Sequence, residues 1–316
     1  MIRSGFRGDD GPMSNRLSFA VSIGRTADVQ ELTASVQRAE AAGADMLTVA
    51  DHLGSTSPFQ VLAAAAAVSS RVRLRTYVLD AYFWNPALLA REVATLDSLS
   101  GGRFELGIGA GHMRHEHEQA GLPFPGVDQR WSHVEQVVTD VRGHLADPEH
   151  EPAVVQRPVP VMIAAMGERG LDCAARMGDV VGLSGLLQVP GQRAGMFTVA
   201  TAEQVDERVS QVRRVAAGQG RGEPVLDALV QEVSLSQDPE RAAEQVCQGA
   251  RKRGSDWFTP QMLLTSPFFL FSTSAAAAAS ELVRRSQRWG ITSWSTHGPS
   301  ADALLQVAAA YRGSAA

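Results

Sequence analysis

The sequence predicts an α/β fold, a closed (β/α)8 TIM barrel with insertions near its seventh strand. Short apolar, β-branched runs alternate with amphipathic runs of about 10 to 17 residues, the rhythm of parallel strands joined by crossover helices. Eight such pairs can be laid between residues 16 and 316, and a 44% hydrophobic content lets one barrel with insertions account for that length as a single domain. An open doubly wound sheet shares the rhythm and is the alternative architecture. Residues 1–15 read as a disordered tail, with Met13 an alternative start.

Leu17 to Ile23 reads as strand 1, followed by a helix from Val29 to Ala42 in which Leu32, Val36 and Ala39 share a face and Gly43 supplies the stop. Met46 to Ala50 is strand 2, Pro58 to Ser69 a helix, and Val72 to Leu79 strand 3. Asn85-Pro86 opens a helix to Leu99, proline being suited to a first helical turn. Arg103 to Ile108 is strand 4; a Gly- and His-rich loop leads to a helix from Arg130 to Leu145. Val161 to Ala165 is strand 5, Arg169 to Met177 a helix and Val180 to Leu183 strand 6. Leu186 to Thr201 reads as an inserted loop, Ala202 to Gly218 as a helix, and Leu226 to Leu235, by its alternation, as strand 7. Pro239 to Arg253 is helical, while the prolines and aromatics of Trp257 to Ser274 break the period and suggest an insertion folding over the barrel mouth. Ala275 to Trp289 is a helix, Thr292 to Ser295 strand 8 and Ala301 to Tyr311 the last helix.

A formal charge of −5 gives no basic field to draw the chain to nucleic acid or acidic lipid, so any anion needs a local site. No stretch approaches the roughly 18 to 20 apolar residues of a membrane span, and the start lacks the apolar core of a signal peptide. Cys173 and Cys247 are far apart in helical runs, which suits a reducing cytoplasm better than a disulfide or zinc framework. Lys252 is the one lysine, and the Arg, Ala and Gly bias points to a high-GC genome such as that of an actinobacterium. The expected partners are a small-molecule substrate and a second copy in a homodimer, with neither nucleic acid nor membrane.

A barrel enzyme builds its site just past the C-terminal ends of the strands. Strand 2 ends in Asp51-His52, a pair that can position a cofactor or shuttle a proton, or equally be a capping Asp beside an exposed His. Asp80, Tyr82, Trp84 and Asn85 follow strand 3, a set that suits a flat heterocycle but also plain packing. In strand 4, Gly107, Gly109 and Gly111 permit close backbone approach; His112 stands where the third glycine of a dinucleotide motif would be, so that reading fails. His112, His115, Glu116 and His117 lack the spacing of a zinc helix, and no metal is expected. After strand 5, Gly167 and a helix start carrying Arg169 offer backbone N–H groups and a guanidinium to an anion, the plainer reading being a tight turn with a solvated arginine.

The segments GADMLTVADHL, TYVLDAYFWNPALLAREVATLDSLSGGRFELGIGAG, GLPFPGVDQRWSHVEQVV and AAMGERGLDCAARMGDVVGL together resemble the luciferase-like superfamily and, within it, the F420-dependent oxidoreductases. The likeness runs from Leu17 to about Leu186 and more weakly through TSPFFLFST and WGITSWSTHG. It implies a bulge after strand 3 with a non-prolyl cis peptide at Tyr77-Val78 under a deazaflavin ring. It also implies cofactor contacts at Asp51, His52 and Asn85, and phosphate contacts along Met166, Gly167, Glu168 and Arg169. F420 is the implied cofactor and FMN the alternative. The sugar-phosphate dehydrogenases of this group carry a catalytic glutamate where this chain has His112, and His115 replaces an amide residue. The proton-transfer residue is therefore open between His52, His112 and His115. The activity implied is hydride transfer from reduced F420 to an activated C=C or C=N bond of a small molecule. An FMN-dependent monooxygenase and a barrel that only binds or assembles are the rivals.

Overall fold

A computed structural model describes residues 16–25, 28–165, 167–189, 191, 196–252 and 258–315. The expected N-terminal tail, Met166 and Trp257 lie outside them.

Eight parallel strands close on themselves: Ser18–Ser22, Met46–Val49, Arg73–Thr76 continued by Leu79–Asp80, Phe104–Gly109, Val161–Ala165, Val180–Leu183, Val225–Val230 and Ile291–Thr296. Closure comes from the first strand pairing with the eighth, Ser18 opposite Ser293 and Val21 opposite Thr296. The barrel is therefore a (β/α)8 barrel rather than an open sheet. Helices alternate with the barrel strands and carry buried apolar faces. In the first, Val29–Ala41, the Asp28 carboxylate accepts from the Glu31 N–H (2.8 Å), and Leu32, Val36 and Ala39 are the buried stripe. Helix Pro86–Leu99 starts because the Asn85 side-chain oxygen accepts from the N–H groups of Ala87 and Leu88.

One feature the family likeness implied and three departures from the sequence reading shape the mouth. The third strand is interrupted at Tyr77-Val78, whose peptide bond is cis. Beside the break, the Thr76 hydroxyl accepts from Gly107 N and donates to Gly107 O, both at 2.8 Å. The strand 4 stretch read as part of a loop contains a short helix, Arg114–Ala120, ended by Gly121 at φ +68°. The run read as one seventh strand is two: Gln231 N donates to Phe268 O, and Glu232–Leu235 then leaves the barrel to pair in parallel with Phe269–Ser272. Alternation continued through Gln231, so periodicity could not show the bend. The insertion read as loop from Leu186 carries an antiparallel hairpin, Leu186–Gln188 with Phe197–Val199.

Inside the barrel, Arg75, Glu105 and Asp227 are 2%, 2% and 0% exposed. Arg75 Nη1 donates to Asp227 Oδ2 at 3.0 Å, joining the third strand to the seventh across the lumen.

Candidate active site

The side chains with chemistry gather past the C-terminal ends of the second, third and fourth strands. His52 Nδ1 lies 3.1 Å from Glu116 Oε1 and 3.3 Å from Oε2. A carboxylate accepts, so Nδ1 carries the proton of the neutral ring and Nε2 is left for a ligand. Glu116 is buried while the His52 side chain is 41% exposed, so the carboxylate backs a ring that meets the mouth. His112 stands edge-on to His52 with ring centroids 6.1 Å apart, and Phe197 of the hairpin is likewise edge-on to it, ring centroids 6.0 Å apart. His112 is exposed overall, but its neighbours desolvate the ring in part and His52 adds like charge, lowering its pKa against the opposing pull of Glu116 and Asp80.

Asp51 Oδ2 accepts from Trp84 Nε1 (2.9 Å), and burial raises the Asp51 pKa although that bond and the Asp80 N–H counteract it. Behind it, Asp80 Oδ1 accepts from Tyr82 N and Oδ2 lies 2.8 Å from the buried His117 Nε2. His117 Nδ1 donates to Pro123 O at 2.7 Å, so one further proton is shared between His117 and Asp80. Gly111, at φ +64°, must be glycine: a Cβ there would lie 1.8 Å from Asp80 Oδ2. The strand 4 glycines thus admit the third strand. A Cβ on Gly107 would lie 1.9 Å from Thr76 O, and one on Gly109 would lie 3.0 Å from Val78 Cγ2.

The sequence-based candidates divide clearly. His52, His112 and Asp51 come together at the mouth, with Tyr77 and Val78 at the break in the third strand. His115 is exposed, and its ring has no hydrogen-bond, ion-pair or aromatic partner among the described residues; it does not join His52. Asn85 spends its side-chain oxygen on capping, and its amide nitrogen has no partner among the described residues. Gly167 precedes the helix Glu168–Met177, and Leu171 N is bonded to Gly167 O, so the N–H groups of Glu168, Arg169 and Gly170 point beyond the helix end. Gly167 and Glu168 are exposed. The Arg169 guanidinium is not free as expected, because Nη1 donates to Glu135 Oε1 at 2.7 Å and Arg176 shares the same oxygen.

A family model described as luciferase-like monooxygenase matches residues 11–309. The chain belongs to that family. Among curated relatives it is 28% identical to an F420-dependent glucose-6-phosphate dehydrogenase of Kribbella flavida over 255 residues, 73% of this chain and 72% of the relative. It is 29% identical to the enzyme so named in Intrasporangium calvum, over 68% of this chain and 67% of the relative. Two solved structures share the fold. An F420-dependent secondary alcohol dehydrogenase with an F420-acetone adduct superposes at TM-score 0.74 and 17% identity, covering 92% of this chain and 97% of that one. A riboflavin lyase with modified FMN does so at 0.73 and 16%, covering 95% and 92%.

In this luciferase-like barrel three groups escaped sequence reasoning. Glu116 and His117 were weighed only as metal ligands and set aside; their part in the site was hidden because the helix that turns them inward was read as loop. Arg75, Glu105 and Asp227 carried a usable signal, a charge in the middle of each of three apolar strands. His297, just past the eighth strand, has Nε2 3.4 Å from Gln231 Oε1, while Gln231 Nε2 donates to Ser184 O at 2.7 Å. His297 and His112 are exposed overall, and the partial desolvation of each ring by its neighbours lowers its pKa.

Because folding lowers both histidines from the ordinary 6.5, the unfolded chain binds more protons than the native one just below that pH. Their effect on stability is nil above it and unfavourable as pH falls through it. The urea midpoint should therefore drop between about pH 7 and pH 5, and drop less in the His112→Gln/His297→Gln variant. The same drop in both proteins would remove these two rings from the account.

Proposed function

We propose that the protein is an F420-dependent oxidoreductase that reduces an activated C=C or C=N bond of a small, largely apolar molecule. The observation that carries this is the His52–Glu116 pair at the barrel mouth, a proton-transfer group beside a site suited to a flat ring. Relatives named F420-dependent glucose-6-phosphate dehydrogenases support the choice of cofactor.

The residues fit such a group in two places. Val78 is partly exposed at the interruption of the third strand, giving a flat ring an apolar support. Gly167 has no atom within 4 Å of where a Cβ would stand, so the helix end behind it is open to a phosphate. When bound, the deazaflavin supplies the hydride, and the protein orients it and excludes water. His52 in its charged form holds a second proton at Nε2, which it donates to the substrate atom next to the carbon that receives hydride. Glu116 steadies that imidazolium through Nδ1–H and keeps the ring aimed. His112 and Phe197 form the opposing wall. With a histidine in place of a catalytic glutamate, the chain departs from sugar-phosphate oxidation.

Titration of the protein with F420 and with FMN tests the cofactor: F420 should bind the more tightly, and preferential binding of FMN would replace this reading with a flavin monooxygenase. In the same assay Arg169→Gln should weaken F420 by about tenfold, the worth of one charge-assisted hydrogen bond shared with Glu135. Arg284→Gln, on an exposed helix face, is the control; equal losses would place the phosphate elsewhere. The reading extends to a homodimer in the cytoplasm, which sedimentation would show as twice the chain mass. No described helix is long and apolar enough to cross a membrane.

A further inference from the structure

The barrel lumen below the mouth holds a charged cluster that the proposed chemistry does not use. The Asp227 carboxylate accepts from Tyr77 Oη (2.8 Å), Arg75 Nη1 (3.0 Å), Ser293 Oγ (2.5 Å) and Ser295 Oγ (2.9 and 2.7 Å). Arg75 Nε sits 2.6 Å from Glu105 Oε1, an ion pair that is not aligned as a hydrogen bond. Branched apolar side chains are the ordinary filling of such a lumen, and a buried ion pair adds no stability over a well-packed apolar replacement. What the cluster does provide is direction. Its one partly exposed member is Tyr77, whose ring is fixed at the bottom by the hydroxyl bond to Asp227 and flanked by the Arg75 guanidinium 6.0 Å from its centroid. Ser293 and Ser295, from the eighth strand, restrict the Asp227 carboxylate to one orientation. The position of Tyr77 on the third strand is thus dictated from the opposite wall of the barrel.

We propose that Asp227 is a positioning residue for the cofactor: by holding the Tyr77 hydroxyl it keeps Tyr77 and Val78 as a fixed floor for the flat ring bound in the mouth. This rests on the cofactor reading above. If the floor is loosened, only a fraction of molecules is competent to bind, and affinity falls by that fraction.

The test is fluorescence titration of F420 with wild type, Tyr77→Phe, Asp227→Asn and the double variant, alongside urea denaturation. Tyr77→Phe, which removes a single oxygen, should weaken F420 by about tenfold, and the double variant should lose no more than the worse single one, since both break the same link. Ser100→Ala, which removes a buried hydroxyl bonded to Asp97 O at the far end of the barrel, should lower stability without changing affinity. Unchanged affinity in Tyr77→Phe, additive losses in the double variant, or an affinity loss in Ser100→Ala matching its loss of stability would each overturn the proposal. If wild type binds FMN and not F420, the cofactor reading fails and the same four titrations with FMN decide the role of Asp227. A wild type that binds neither overturns both.

Discussion

Replacing His52 with alanine is expected to lower turnover by about 10²- to 10⁴-fold, the usual contribution of a positioned general acid, while F420 still binds. The expectation follows from the ring's two ends. Nδ1 is held at 3.1 Å by the buried Glu116, which fixes the tautomer and leaves Nε2 as the nitrogen that can reach a substrate. Oxidation of reduced F420 by an active acceptor, followed by its absorbance, measures the loss. Glu116→Gln should fall between wild type and His52→Ala, since an amide can still accept from Nδ1 but no longer offsets the charge of an imidazolium. Wild-type turnover in His52→Ala would move the proton to His112. Collapse of F420 binding instead would make His52 a cofactor ligand.

Arg75→Met should cost about 3 to 5 kcal/mol of folding stability, the range found when one partner of a buried ion pair is removed. Arg75 lies against Glu105 on one side and Asp227 on the other, so its loss strands two carboxylates that are at most 2% exposed. The three charges are coupled, and the losses are not additive. The variant Arg75→Met/Glu105→Gln/Asp227→Asn, with no stranded charge, should recover much of the deficit. Urea denaturation reads both effects. A loss below about 1 kcal/mol in Arg75→Met, the scale of an exposed ion pair, would show that water reaches the lumen.

The sequence was most legible where one periodicity ran unbroken. Leu32, Val36 and Ala39 gave the face of the first helix, and Asn85-Pro86 gave the start of the third, because each signal is local to a turn or two of chain. It was less legible where a long-range contact overrides the pattern. Val72 to Leu79 reads as one apolar strand, and the interruption at Tyr77-Val78 came only from family likeness; the residues that accommodate it, Thr76 and Gly107, are 31 positions apart. The alternation around Gln231 hides a turn set by Phe268 O, 37 residues on. At the site, Asp51, His52 and His112 were visible as residues following strands. Glu116 was not, since its partner His52 is 64 positions away and the intervening pattern gives no sign of the pairing. Arg169 was visible, but Glu135, which occupies it, sits on a different helix.

The hairpin between the sixth strand and the helix Ala202–Gly218 leaves and rejoins the barrel at one point: Ala200 N donates to Gly185 O at 2.8 Å, and Gly185, at φ +70°, turns the chain against Phe268. A segment with its ends already clasped can be lengthened at little entropic cost, since closure entropy grows only slowly with loop length. It therefore behaves as an exchangeable cassette. Phe197 is carried on it and packs edge-on to His112, so on the proposed reading swapping the stretch from Leu186 to Val199 should change what the mouth admits while leaving His52, Glu116 and the lumen untouched. On the proposed reading, acceptor choice and proton transfer then rest on separate parts of the fold, and new substrate ranges can be sought by grafting this segment alone.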